Sequence, residues 1–164
     1  MASAIVSSCG QYRYRLDREV QPHGKVFAWF GVNPSTADAD VDDATTRLWS
    51  GFTLRNGGSR YIAANPFAFR STNVKALARS GDPVGPENTR HLAEIIAEAD
   101  VLVPCWGARR KVPRRLHTGL DALGALLLAS GRPVLCIGVA QSGDPLHPIM
   151  QSYERALRPW PGRA

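Results

Sequence analysis

The chain has 164 residues, 44% hydrophobic and 21% charged, the profile of one compact domain over 1–164 that can bury a real core. No apolar run approaches a membrane span, and Met1-Ala2-Ser3-Ala4-Ile5-Val6 lacks the basic start and long apolar stretch of a signal peptide. A cytoplasmic protein with no membrane partner is therefore expected. The balance of 20 Lys and Arg against 14 Asp and Glu, net +6, admits polyanions as partners by long-range attraction.

Tyr12-Arg13-Tyr14-Arg15-Leu16 alternates apolar with basic, the period of a half-exposed strand. Pro22-His23-Gly24 breaks it, and Lys25 to Gly31 resumes as a buried strand. The two are expected to pair antiparallel, with the first at an edge. Asp42 or Asp43 caps a helix in which Leu48 and Phe52 share a face, and Asn56-Gly57-Gly58 stops it. Arg60 to Ala64 is a short strand ending at Asn65-Pro66. Pro86 then opens a helix whose apolar face is Leu92, Ile95, Ile96 and Ala99. Val101 to Cys105 forms a third buried strand, running into Trp106-Gly107, and Leu116, Leu120, Leu123 and Leu127 mark another amphipathic helix. Pro133 to Gly138 is the last strand, and 151–164 a C-terminal tail.

Strands that alternate with helices and are apolar throughout indicate a largely parallel sheet covered on both faces. The fold class expected is α/β, a three-layer α/β/α sandwich with a mainly parallel central sheet and an N-terminal antiparallel edge strand. In such sheets ligands bind beyond the carboxyl ends of the strands. Four segments would then share one edge: 33–36, 65–70, 106–109 and 141–148.

Their side chains exceed what turns require. Asn33-Pro34, with Ser35 and Thr36, reads as turn chemistry or as an amide fixed toward a ligand, and Asn65-Pro66 repeats the arrangement. Phe67 and Phe69 are two apart, so in an extended stretch they share a face and serve as core or as pocket wall. Trp106 has the same two readings. His147, in a Pro-flanked loop, reads as an exposed loop residue or as a placed hydrogen-bonding or acid–base group near neutrality, the second being favoured. The cluster Asp38, Asp40, Asp42 and Asp43 lacks the Gly and Glu of a calcium loop. Three scattered cysteines contain no CxxC pair, so no zinc or iron–sulfur site built on thiolates is expected. Apart from a magnesium role as the alternative for the aspartate cluster, no metal or cofactor is expected. Arg109 to Arg115 is a solvated face or a phosphate contact.

The motifs Asn33-Pro34-Ser35-Thr36-Ala37, Asn65-Pro66-Phe67-Ala68-Phe69-Arg70, Pro83-Val84-Gly85-Pro86-Glu87-Asn88, Trp106-Gly107 and Gly143-Asp144-Pro145-Leu146-His147-Pro148 occur in order. Together, over about residues 25 to 150, they resemble the bacterial and phage family called domain of unknown function 1643. Gly31-Val32-Asn33-Pro34 and His147-Pro148 are also similar to two motifs of the uracil-DNA glycosylase superfamily. That second resemblance implies a glycosylase-like fold in which Asn33 positions the attacking water and His147 stabilises the departing base. It further implies that Phe67 or Phe69 stacks on a flipped base, and that Arg47, Arg70 or Arg109 meets phosphates. Ser35 and Ile149 depart from those motifs. The function expected is recognition of a nucleobase or nucleic acid, with N-glycosidic cleavage as the reaction it would support. An enzyme acting on a small nucleotide or metabolite, or an interaction protein, are the alternatives.

Overall fold

A computed structural model describes residues 2–35 and 37–163. The strands are β1 (Ala2–Val6), β2 (Arg13–Glu19), β3 (Lys25–Phe30), β4 (Gly58–Ala64), β5 (Val101–Pro104), β6 (Leu135–Cys136) and β7 (Arg158–Pro159). The α-helices are α1 (Ala44–Arg55), α2 (Val74–Arg79), α3 (Asn88–Glu98) and α4 (His117–Ala129). None of the helices is long and apolar enough to cross a membrane.

The protein is a mixed α/β fold around a five-stranded sheet of order β1-β2-β4-β3-β5. β3 runs parallel to both β4 and β5, whereas β2 is antiparallel to β1 and β4. The expected mainly parallel sheet is therefore corrected to a mixed one. The expected pairing of β2 with β3 is corrected too. The α1 crossover returns the chain parallel to β3, so β4 fills the slot beside it and β2 docks on β4, with Leu16 opposite Ala63. β2 is also interior, since β1, unrecognised in the sequence, takes the edge.

Successive β3 side chains point to opposite faces. Phe27 and Trp29 join Tyr61, Val101, Trp49 and Phe52 in one apolar cluster, which α1 covers. Ala28 and Phe30 join Ile62, Leu102 and the apolar stripes of α3 and α4 in the other. Burying a side chain of this size contributes roughly 1.5–3 kcal/mol.

Phe30 lies opposite both Ala64 and Pro104, so the three parallel strands end level. Residues 31–33, 65–66 and 105–107 consequently leave the sheet at one edge. Past β6, a tight turn closes with Ala140 N–H donating to the Asp144 carbonyl at 2.8 Å. Gly107 N–H then donates to the Pro145 carbonyl at 2.9 Å, which brings the loop carrying His147 to the same edge. The tail packs back as well: Trp160 is buried and meets Trp106 edge-on at 5.4 Å.

Candidate functional site

Beyond the strand ends lies a cavity of about 330 Å³ whose lining includes Asn33, Asn65, Trp106 and His147. Gly31 forms part of its floor. A Cβ there would sit 3.1 Å from Asn65 Nδ2 and 3.7 Å from Trp49 Cζ2, so glycine lets the strand end lie under both side chains.

The two asparagines are held differently. Asn33 Nδ2 donates to the carbonyls of Pro34 (3.1 Å), Phe69 (3.3 Å) and Ser71 (2.8 Å), tying two loops together. Its amide hydrogens are thereby spent, and its Oδ1 receives no donor among the described residues. Asn65 is 3% exposed, yet its side-chain amide makes no hydrogen bond among the described residues. Its backbone is fixed from behind instead: Asn88 Nδ2 donates to the carbonyls of Asn65 (2.9 Å) and Pro66 (3.1 Å).

His147 accepts the Ile149 N–H at Nδ1 (3.1 Å), which leaves the proton of the neutral ring on Nε2. Burial, reinforced by the nearby Lys111 charge and opposed by Asp43, lowers its pKa and favours that neutral form. Gly107 adopts φ +80°, a backbone conformation that favours glycine, and packs beside His147. Behind the wall, Asp144 accepts from Trp106 Nε1 (3.4 Å), Arg109 N–H (3.1 Å) and the Arg109 guanidinium (3.0 Å at Nη2).

The other expected residues scatter. Pro34 is buried, and its carbonyl accepts the Ser71 N–H at 2.9 Å. Ser35 lines the cavity and donates to Asp43 at 2.7 Å. Thr36 lies outside the described residues. Phe67 is corrected from stacking platform to core: it is buried, and Gly119 of α4 is so close that a Cβ would meet its ring at 2.6 Å. Phe69 meets Tyr12 edge-on at 5.9 Å and, with Arg70, lines an adjoining open depression that shares Ser35, Ser71 and Thr72 with the cavity. The two-residue spacing misleads here because the chain leaves strand geometry after Ala64. Arg109 is corrected from a phosphate ligand to a buried structural cation, held charged by Asp121 at 2.7 Å and by Asp144. Arg47 is exposed on α1 and donates to the Asp42 carbonyl at 3.2 Å.

The cavity also collects residues that the sequence did not mark as ligand contacts: Arg13, Asp43, Trp49 and Lys111. Asp43 caps α1, accepting the Thr46 N–H at 2.9 Å. Burial alone would raise its carboxyl, but the hydrogen bonds from Thr46 and Ser35 outweigh that and keep it low. Its capping pattern was visible in the sequence; its place in the cavity was not. Next to the cavity lies a groove of about 1020 Å³ that shares Trp106, Lys111 and His147 with it and adds Arg110, Gln141 and Gln151.

A family model described as "Protein of unknown function (DUF1643)" matches residues 13–149. No curated protein matches the chain. Among solved structures, hetero-hexameric glutamate dehydrogenase from Thermus thermophilus in a leucine-bound form is similar at 13% identity and a TM-score of 0.32. That likeness covers 82% of this chain, which spans only 32% of the dehydrogenase chain.

Proposed function

The chain belongs to the DUF1643 family of proteins of unknown function, and we propose that it binds a nucleobase in the cavity past its strand ends. The observation that carries this reading is the amide of Asn65, which lines the cavity without a hydrogen-bond partner among the described residues and so stays available to a ligand. An amide offers one donor and one acceptor side by side, the complement of the hydrogen-bonding edge of a nucleobase. The neutral Nε2–H of His147 would supply a second donor, and the rings of Trp49 and Trp106 apolar wall for a planar ligand.

The same arrangement suits N-glycosidic hydrolysis. Asn33 Oδ1, with its amide hydrogens committed elsewhere, would accept from a water and aim it at the anomeric carbon. His147 would donate to the base as negative charge develops on it. In this reading the helices on both sheet faces are those of a uracil-DNA-glycosylase-like α/β/α core, to which β1 and β2 add antiparallel strands. A second reading, an enzyme or binder for a small soluble nucleotide or metabolite, is favoured by one feature. Arg109 is spent on Asp121 and Asp144, which thins the cationic path that a nucleic-acid backbone requires.

The test is thermal stabilisation by free bases, nucleosides and modified DNA oligonucleotides, followed by assay for released base. A base present at about 100 times its Kd stabilises by roughly 2.7 kcal/mol, a shift of about 5–11 °C for a domain of this length. Asn65→Ala should abolish that shift, Asn33→Ala should abolish any turnover while binding persists, and His147→Ala should abolish turnover and weaken binding through the loss of its donor. Stabilisation that is equal in wild type and Asn65→Ala, or absent for every base, overturns the proposal.

A further inference from the structure

Three arginines are buried, and two have a carboxylate: Arg18 meets Asp42 at 2.9 Å and Arg109 meets Asp144 at 3.0 Å. Arg13, the most buried at 3% exposed, has none within 4.0 Å among the described residues. Among the described residues its side chain donates to the Ala37 carbonyl, which uses one of five guanidinium N–H donors. It lines the same cavity as Asn65, and that lining also includes the hydroxyl residues Ser35, Thr45 and Thr72.

A lone buried cation is expensive to hold, since the interior replaces little of its hydration. Burial lowers the Arg13 pKa to about 10, and the charge of Asp43 opposes this. Among the described residues, Asp43 is the single carboxylate of the cavity wall against two cations, Arg13 and Lys111. It is already engaged by the Thr46 N–H and the Ser35 hydroxyl. One positive charge in the cavity is therefore unmatched.

Resting on the nucleobase reading, we propose that Arg13 forms an anion subsite, so that the ligand is a base carrying a phosphate. That chemistry belongs equally to a free nucleotide and to one nucleotide of a strand. The planar guanidinium fork binds phosphate through paired hydrogen bonds, which a lysine ammonium at the same place does not reproduce.

The experiment measures affinity by calorimetry for a nucleoside, its 5′-monophosphate, orthophosphate and a trinucleotide of the same base. The proteins are wild type, Arg13→Met and Arg13→Lys. Wild type should bind the monophosphate about tenfold to a hundredfold tighter than the nucleoside. Arg13→Met should lose that advantage, keep its nucleoside affinity, and melt no lower than wild type because the isolated cation is gone. Arg13→Lys should lose most of the advantage and serves as the deciding variant if Arg13→Met fails to fold. A further gain for the trinucleotide places the ligand in a strand; equal affinity places it free. Equal binding of nucleoside and monophosphate to wild type overturns the subsite and leaves the base reading standing. An undiminished phosphate advantage in Arg13→Lys also overturns it. Orthophosphate and every nucleotide binding alike, with no nucleoside bound, would uphold the subsite and remove the base reading.

Discussion

Removing Asp144 tests how the wall of the cavity is held. This carboxylate is 0% exposed and accepts from Trp106, from the backbone and guanidinium of Arg109, and from Ser142 Oγ at 2.6 Å. Burial by itself would raise its pKa, but the hydrogen bonds from Arg109 and Ser142 prevail and lower it. Asp144→Ala leaves Arg109, 8% exposed, with Asp121 as its remaining carboxylate, and the Asp121 side chain is half in solvent. Deleting one partner of a buried pair costs about 3–5 kcal/mol. Since Asp121 still compensates part of the charge, about 3 kcal/mol is expected, a fall in Tm of roughly 6–12 °C for a domain of this length. Urea unfolding followed by tryptophan fluorescence reads the free energy, and calorimetry reads Tm. Because the folded pKa lies below the unfolded one, this stabilisation is fully present above the ordinary carboxylate pKa of about 4 and is lost as pH falls through the folded value. The gap between wild type and Asp144→Ala should therefore narrow below pH about 4. A loss smaller than about 1 kcal/mol at neutral pH, the scale of an exposed pair, would refute the reasoning, as would a gap unchanged on acidification.

Two further outcomes follow from the same region. His147 has a folded pKa below its ordinary value, chiefly through burial, so below pH about 6.5 the unfolded chain takes up a proton that the folded one resists. Wild type should then lose stability relative to His147→Asn as pH drops from 7 to 5, and parallel denaturation curves across that window would contradict it. Trp160→Ala removes a side chain that is 5% exposed, packs on Trp106 and donates to the Gly143 carbonyl at 3.2 Å. It should cost about 3–5 kcal/mol in chemical denaturation and weaken ligand binding with it. Unchanged stability would show that the tail is not part of the core.

The three parallel strands were readable because each is a continuous apolar run closed by a polar turn, a pattern that specifies burial on both faces. The partner of β2 was not, because alternation along 12–16 fixes which side chains share a face and says nothing about the strand alongside. β1 escaped for the same reason: its exposed, weakly patterned residues gain their structure from the register with β2. The meeting of Asn33, Asn65 and Trp106 at one cavity follows from level strand ends, whereas His147 joins them through the Gly107–Pro145 backbone bond. The roles of the charged residues could not be anticipated. Arg109 and Asp144 are 35 positions apart, and no local pattern indicates that each satisfies the other. Arg13 shows the converse: its alternating stretch predicts a solvated cation, yet the fold buries it.

What separates a site residue from its neighbours here is the set of hydrogen bonds it still has to make, and that depends on distant partners. Asn33 and Asn65 have the same side chain, each precedes a proline, and each follows a buried strand. Three backbone carbonyls consume the donors of Asn33, so toward the cavity it acts as an acceptor. Asn65 keeps both halves of its amide, because Asn88 secures its position through backbone carbonyls and leaves the side chain alone. An acceptor suits a water molecule with protons to donate; a donor beside an acceptor suits the patterned edge of a base. The division of labour between two identical side chains thus follows from the carbonyls around one and the asparagine behind the other.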